Sequence, residues 1–236
     1  MIIFYRKRIL FINFIVIFSI LFCSVTITLN SKTLLTSSIP VSNHTVIIDA
    51  GHGLPDGGAV SSDENIIESD INLKVAQKLQ NLLEISNCTV ILTRSDENGI
   101  YSSSADSIRE KKISDMKNRA EIANNSNAEI FVSIHMNKLS QTQYSGWQSF
   151  YKNTDEKSRK LADCIQKNLN YFIDKNNKRE IKSINNIYLT RNVQIPLVIV
   201  ECGFLSNPEE SYLLQTEEYQ KKLAWSIYAG ILDYFE

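Results

Sequence analysis

The sequence predicts an α/β fold: a single domain with a mainly parallel, twisted sheet flanked by helices on both faces. Short apolar runs, long enough for buried strands and too short for helices, occur at 46–48, 88–93, 128–135 and 197–200. Between them lie longer stretches with helical spacing, such as Ile71, Val75, Leu79 and Leu82. Strands separated by helices of that length imply crossover connections, and so parallel neighbours covered on both faces. With 236 residues, 43% hydrophobic and 22% charged, the chain can bury one ordinary core and carry a short appendage.

The appendage comes first. Arg6, Lys7 and Arg8 precede an apolar run over 9–29, and no acidic residue occurs before Asp49. A basic cluster followed by roughly 20 mostly apolar residues predicts a membrane anchor or a long secretory signal in residues 1–29, with the basic end cytoplasmic. The length of the run, and the lack of a small-residue cleavage site, favour an uncleaved anchor. Residues 30–44, rich in Ser and Thr, read as a linker, and residues 45–236 as the working domain. That domain is expected to be exported, outside the cytoplasm, tethered through 9–29 or secreted if the segment is cleaved.

From Thr45 the elements follow in order. The first strand ends at Asp49 and breaks into a loop holding four of the chain's eight glycines between 51 and 58, with His52 at its tip. Glycine permits positive φ and close backbone approach, so the loop is shaped rather than slack. Glu68 and Asp70 open a helix, where acidic side chains favour the dipole. A strand at 88–93, a polar Ser-rich loop over 94–112 and a helix over 113–124 come next. The strand 128–135 ends in His135, and a weaker one spans 146–151. A helix over 155–172 leads to a basic polar loop reaching Asn186, then to a short stretch at 187–190. The last strand, 197–200, runs into Glu201, and two helices close the chain, one after Pro208 and one over 217–234.

Open parallel sheets place ligands beyond the carboxyl ends of their strands. His52, His135 and Glu201 all fall on that edge, and Glu68 can reach it. Two histidines and a carboxylate with an open fourth position are a common zinc set for hydrolysis, with a second carboxylate to move the water's proton. The chain has three histidines, and His44 lies in the linker. For the carboxylate ligand, Asp63 and Glu64 compete with Glu68 on residue type alone. Net charge is −1 with no basic stripe, which excludes a nucleic-acid footprint. Cysteines at 23, 88, 164 and 202 form no CxxC pair, so neither a disulfide framework nor a thiolate zinc site is expected.

Five segments then carry a resemblance: VIIDAGHGLPDGGAV, ESDINLKVAQKL, VILTRSD, NRAEIANNSNAEIFVSIHMN and VIVECGFLSNPEE. In this order they resemble the zinc-dependent N-acetylmuramoyl-L-alanine amidases of the type-3 family, across the whole of 45–236, which then reads as a catalytic amidase domain. The resemblance implies one zinc ion on His52, Glu68 and His135, with Glu201 as the catalytic carboxylate and peptidoglycan as the substrate. The run KREIKSINNIYLTRNVQIPLVIVECGFLSNPEE is closer to the germination-specific, sporulation branch, which prepares spore cortex for muramic-δ-lactam formation. Where many members carry an R-G-V-K-like segment, this chain has Arg179-Glu180-Ile181-Lys182, so Arg179 and Lys182 are candidates for stem-peptide contacts. Asn137 is a third, although holding its loop through side-chain to backbone bonds is the plainer account.

Arg94 and Arg119, so near a core, are expected in buried ion pairs, and Cys202 as a small packed residue. Two other functions stand beside the amidase: a wall-binding protein of the same fold that is inactive or needs an activating protein partner, and a glycosidase pairing Glu68 with Glu201. The second leaves both histidines unexplained.

Overall fold

Ser149 and Phe150 of one strand face Val200 and Ile199 of another running the opposite way, and that is the sheet's one antiparallel pairing. We describe a computed structural model, which defines residues 14–20, 39–62 and 65–236. The strands are β1 (Thr45–Ala50), β2 (Thr89–Leu92), β3 (Ile130–Asn137), β4 (Gln148–Lys152), β5 (Lys182–Ile184) and β6 (Leu197–Phe204). They form one sheet in the order β2-β1-β3-β6-β4-β5, parallel throughout apart from β4 against β6. The helices of the domain are α1 (Glu68–Ile85), α2 (Ile108–Asn125), α3 (Glu156–Phe172), α4 (Tyr188–Asn192), α5 (Pro208–Gln215) and α6 (Glu217–Phe235).

Side chains alternate across a strand, so each central strand feeds two cores. Val46, Ile48, Ile130, Val132, Ile134, Val198 and Val200 enter a large core with α1, α3 and α6. Ile47, Phe131, Leu197 and Ile199 enter a smaller one with Ala120 and Ala123 of α2 and Leu189 of α4. Both faces are covered, as the continuous apolar runs require.

The sequence expectations differ from the structure in four places. Helix α2 begins at Ile108, five residues before the expected 113, because Ser107 and Glu110 form a reciprocal capping box inside the Ser-rich stretch. Within the expected basic loop, residues 182–184 pair with β4 as a short strand. The stretch at 187–190 leads into the five-residue helix α4. Strand β6 continues to Phe204, carrying Glu201 within the strand rather than after it.

Residues 14–20 are helical and exposed, and form part of a unit separate from 39–236. The expected membrane segment over 9–29 lies mostly outside the described residues, and among those described no helix is long and apolar enough to cross a membrane. The compact unit begins at Ile39, so the end of the expected linker packs on the domain through the fully buried Val41.

Candidate metal centre and active site

His135 and Glu201 are direct neighbours in the β3–β6 register. By the alternation they project to the same face as Phe131 and Ile199, the side covered by α2 and α4. His52 arrives from the loop after β1 with φ at 61°, a left-handed conformation that is uncommon outside glycine and marks a constrained position. Glu68 is the first residue of α1, and is buried. Its Oε2 accepts from the Ala59 amide at 2.8 Å, and its Oε1 from the Met136 amide at 3.1 Å and Asn72 Nδ2 at 3.3 Å. A loop amide, a strand amide and a side chain one turn along its own helix therefore hold one carboxylate in place.

The ligand atoms of His52, Glu68 and His135 lie within 4.8 Å of one another, and among the described residues no other such cluster occurs. Glu68 Oε1 is 3.4 Å from His52 Nε2 and 3.0 Å from His135 Nδ1. Tetrahedral zinc, with bonds of about 2.0–2.2 Å, sets its ligand atoms about 3.3–3.6 Å apart; the His52 pair matches this, the His135 pair is tighter, and two histidines with one carboxylate are a donor set that zinc takes. Two glycines leave room for them: a Cβ at Gly51 would lie 2.3 Å from the His135 ring, and one at Gly58 would lie 2.6 Å from Glu68 Oε2.

The electrostatics fit as well. Burial alone would lower the His52 pKa, yet its bonds to Asp56 and Glu68 push it up to about 9. Burial would raise Glu68, but the two histidines hold its carboxyl far below the usual range. Burial pushes the Glu201 carboxyl above its usual range, and its Oε2 is a buried oxygen with no hydrogen-bond partner among the described residues. An unpartnered buried oxygen costs free energy, and at a cleft it marks a group kept for a reacting partner.

A cavity of about 290 Å³ is lined by His52, His135 and Glu201 together with Met116, Ile187 and Leu189. Larger concavities lie beside Trp225 and beside Tyr219, but neither holds a comparable cluster of ligands. Chemistry rather than size singles out the site.

The family pattern for N-acetylmuramoyl-L-alanine amidases matches residues 46–233. The chain belongs to the N-acetylmuramoyl-L-alanine amidase family. It is 39% identical over 198 residues to a germination-specific N-acetylmuramoyl-L-alanine amidase of Bacillus subtilis (strain 168), an alignment covering 84% of this chain and 82% of that one. The solved CwlD amidase of Clostridioides difficile, in complex with the GerS lipoprotein, has 47% identity and a TM-score of 0.80 over 81% of this chain and 98% of that one. A further amidase structure, from Clostridium difficile 630, has 33% identity and a TM-score of 0.70, covering 82% and 97%. The enzyme is a cell-wall hydrolase of the amidase type, with homology to the germination amidases.

Other residues singled out in the amidase sequence lie around this centre. Asp63 and Glu64 lie outside the described residues. Arg179 and Lys182 do not line the cavity: Arg179 Nε donates to the Ser145 carbonyl at 2.8 Å, with its guanidinium 4.6 Å from the Phe204 ring centre, and Lys182 is exposed at the start of β5. Asn137 ties the β6 end through its backbone, its carbonyl accepting from the Leu205 amide at 2.8 Å, rather than through its side chain. Arg119 forms the expected buried ion pairs, with Asp49 and Asp115. Arg94 does not: its guanidinium donates to the carbonyls of Ala50, Gly51, Ser69 and Asp96, pinning the β1 loop to the start of α1. Cys202 is fully buried, and burial pushes its thiol well above the usual range, which suits packing and not attack. His44 pairs with Glu129 and stacks on Phe235, away from the site. Sequence reasoning passed over Asp56, whose Oδ2 lies 3.0 Å from His52 Nδ1. Its signal was a carboxylate four residues after the histidine in the same glycine-rich loop.

Proposed function

We propose that the enzyme is a zinc-dependent amidase of spore-cortex maturation. It hydrolyses the amide between the lactyl group of N-acetylmuramic acid and the L-alanine that begins the stem peptide. The observation that carries this reading is the convergence of His52, Glu68 and His135 beside a buried carboxylate with an unpartnered oxygen. Zinc, when bound, polarises the amide carbonyl and makes water a usable nucleophile near neutral pH. Glu201 takes a proton from the attacking water as the carbon–oxygen bond forms, then delivers it to the alanine nitrogen as the carbon–nitrogen bond breaks. Its raised pKa suits both transfers. Met116, Ile187 and Leu189 line the same cavity and give it apolar surface beside the reacting groups. The product is a muramic residue without its peptide, and a separate deacetylase then closes the δ-lactam.

Homology to a germination-specific amidase supports the cortex assignment. The related CwlD was solved with a lipoprotein, and we extend that to this chain as an activating protein partner outside the cytoplasm. The basic cluster and apolar run at the amino end support tethering to the membrane there.

Metal analysis of purified wild type and Glu201→Gln, with both assayed on intact peptidoglycan, tests the reading. One zinc in each, with peptide-free muramic acid released by wild type alone, is the expected result. Zinc without cleavage by wild type points to the partner-dependent form, and restoration on adding the partner would separate that from a binding module. Failure to take zinc removes the centre.

A further inference from the structure

We infer that Asp56 is a positioning residue that fixes which nitrogen of His52 faces the metal. This rests on the zinc reading above and adds a residue to it. A neutral imidazole carries its proton on either nitrogen, and only the bare one can bind a metal. Which one is bare depends on what the other nitrogen bonds. Asp56 Oδ2 lies 3.0 Å from His52 Nδ1, while Nε2 faces Glu68 Oε1 at 3.4 Å. A carboxylate at Nδ1 holds the proton there and leaves Nε2 for the ion.

Asp56 is itself fixed. Its Oδ1 accepts from the Gly58 amide at 3.3 Å, and Lys112 Nζ lies 3.0 Å from Oδ2. Its amide donates to the Gly53 carbonyl at 3.0 Å, and its carbonyl accepts from the Gly53 amide at 2.9 Å, closing the loop on itself. Lys112 belongs to α2, so the clamp joins a loop of unusual backbone conformation to a regular helix. The two histidines are held by different means. His135 sits in the middle strands of the sheet with its ring against Gly51, whereas His52 stands on a loop, where ring orientation needs a side-chain partner. A simple ion pair between Asp56 and Lys112 accounts for one contact of Oδ2 and leaves the His52 contact unexplained.

The test uses the full chain. Zinc affinity of wild type, Asp56→Asn and Asp56→Ala is measured by competition with a chromophoric chelator, beside thermal melts of the metal-free proteins. Asp56→Ala is expected to bind zinc about 10- to 100-fold more weakly, as for other residues that orient metal-bound histidines. Asp56→Asn keeps an acceptor oxygen, and is expected to lose less. Metal-free melting points that stay together while affinities separate exclude a general loss of fold. Zinc affinity of Asp56→Ala equal to wild type overturns the inference. Should that variant not fold, nitrogen NMR of the imidazoles in zinc-loaded wild type decides: His52 protonated at Nδ1 and metallated at Nε2 supports the clamp, and the reverse overturns it. A wild type that takes up no zinc overturns the zinc reading and the clamp together, whereas zinc uptake untouched by the variants overturns the clamp alone.

Discussion

A methyl group at position 51 would sit 2.3 Å from the imidazole of His135, closer than real Cβ contacts come. Gly51→Ala is therefore expected to displace that ring, costing about 1–3 kcal/mol of stability by overpacking and at least tenfold in zinc affinity. Metal content after dialysis, with a melt of the metal-free protein, separates the two losses; a variant that retains zinc as wild type does would show that the ring can move without harm. Glu201 has a consequence of its own. In its proposed role it must be ionised to accept the water's proton, and burial raises its carboxyl above the ordinary value of 4.5. The rate should fall as pH drops through the pKa of the Glu201 carboxyl, giving kcat/KM an acid limb. Glu201→Gln should lower kcat by about 10²- to 10⁴-fold and remove that limb from whatever activity remains. An acid limb unchanged in the variant would assign it to another group.

At the scale of the element, the two-residue period of the strands decides what the site contains. Asp49 on β1, Ser133 and His135 on β3, and Glu201 on β6 share the face toward α2, where Arg119 lies almost fully buried. Arg119 binds Asp49 and Asp115 and also the Ala50 carbonyl, so one side chain ties the helix to the strand end that leads to His52. Burial would raise the Asp49 pKa, but Arg119 and the hydroxyls of Ser133 and Thr93 pull it below its ordinary value of 3.8. A depressed carboxylate contributes stability that is present above the unfolded value and lost as pH falls through the folded one. Arg119→Met leaves Asp49 charged and unpaired, and is expected to cost about 3–5 kcal/mol. Urea unfolding at about pH 6 and about pH 3 should show the variant's deficit shrinking in acid, where Asp49 takes up its proton; a deficit independent of pH would place the cost in packing alone. The same periodicity explains what could be read from the sequence. Strands β1, β3 and β6 are central and announce themselves as apolar runs, so the edge holding His52, His135 and Glu201 was visible. Strand β5 has three residues, none buried, and its pairing exists only because β4 lies beside it. The start of α2 was masked by serines that suit a loop as well as a cap. Glu68 looked like any acidic residue at a helix start, and Arg94 like any buried cation, because their partners come from segments distant in sequence.

Across the whole molecule, the centre joins a loop at 52, a helix start at 68 and a strand end at 135 at one edge of the sheet. No such arrangement exists in the unfolded chain, so an ion held by all three binds the folded state and stabilises it by mass action. With free zinc at about 100 times its dissociation constant, the gain is about 2.7 kcal/mol. For a domain of this size each kcal/mol moves Tm by about 2–4 °C, so zinc added to chelator-stripped protein should raise Tm by about 5–11 °C. Glu201→Gln should show the same rise, since the role proposed for that carboxylate is to move protons and not to hold metal. His135→Ala should show little or none, since it removes a proposed ligand. Melting curves over a zinc titration of all three proteins decide the assignment: a rise that survives in His135→Ala would put the ion elsewhere, and one lost in Glu201→Gln would make Glu201 a ligand and leave the proton without a carrier.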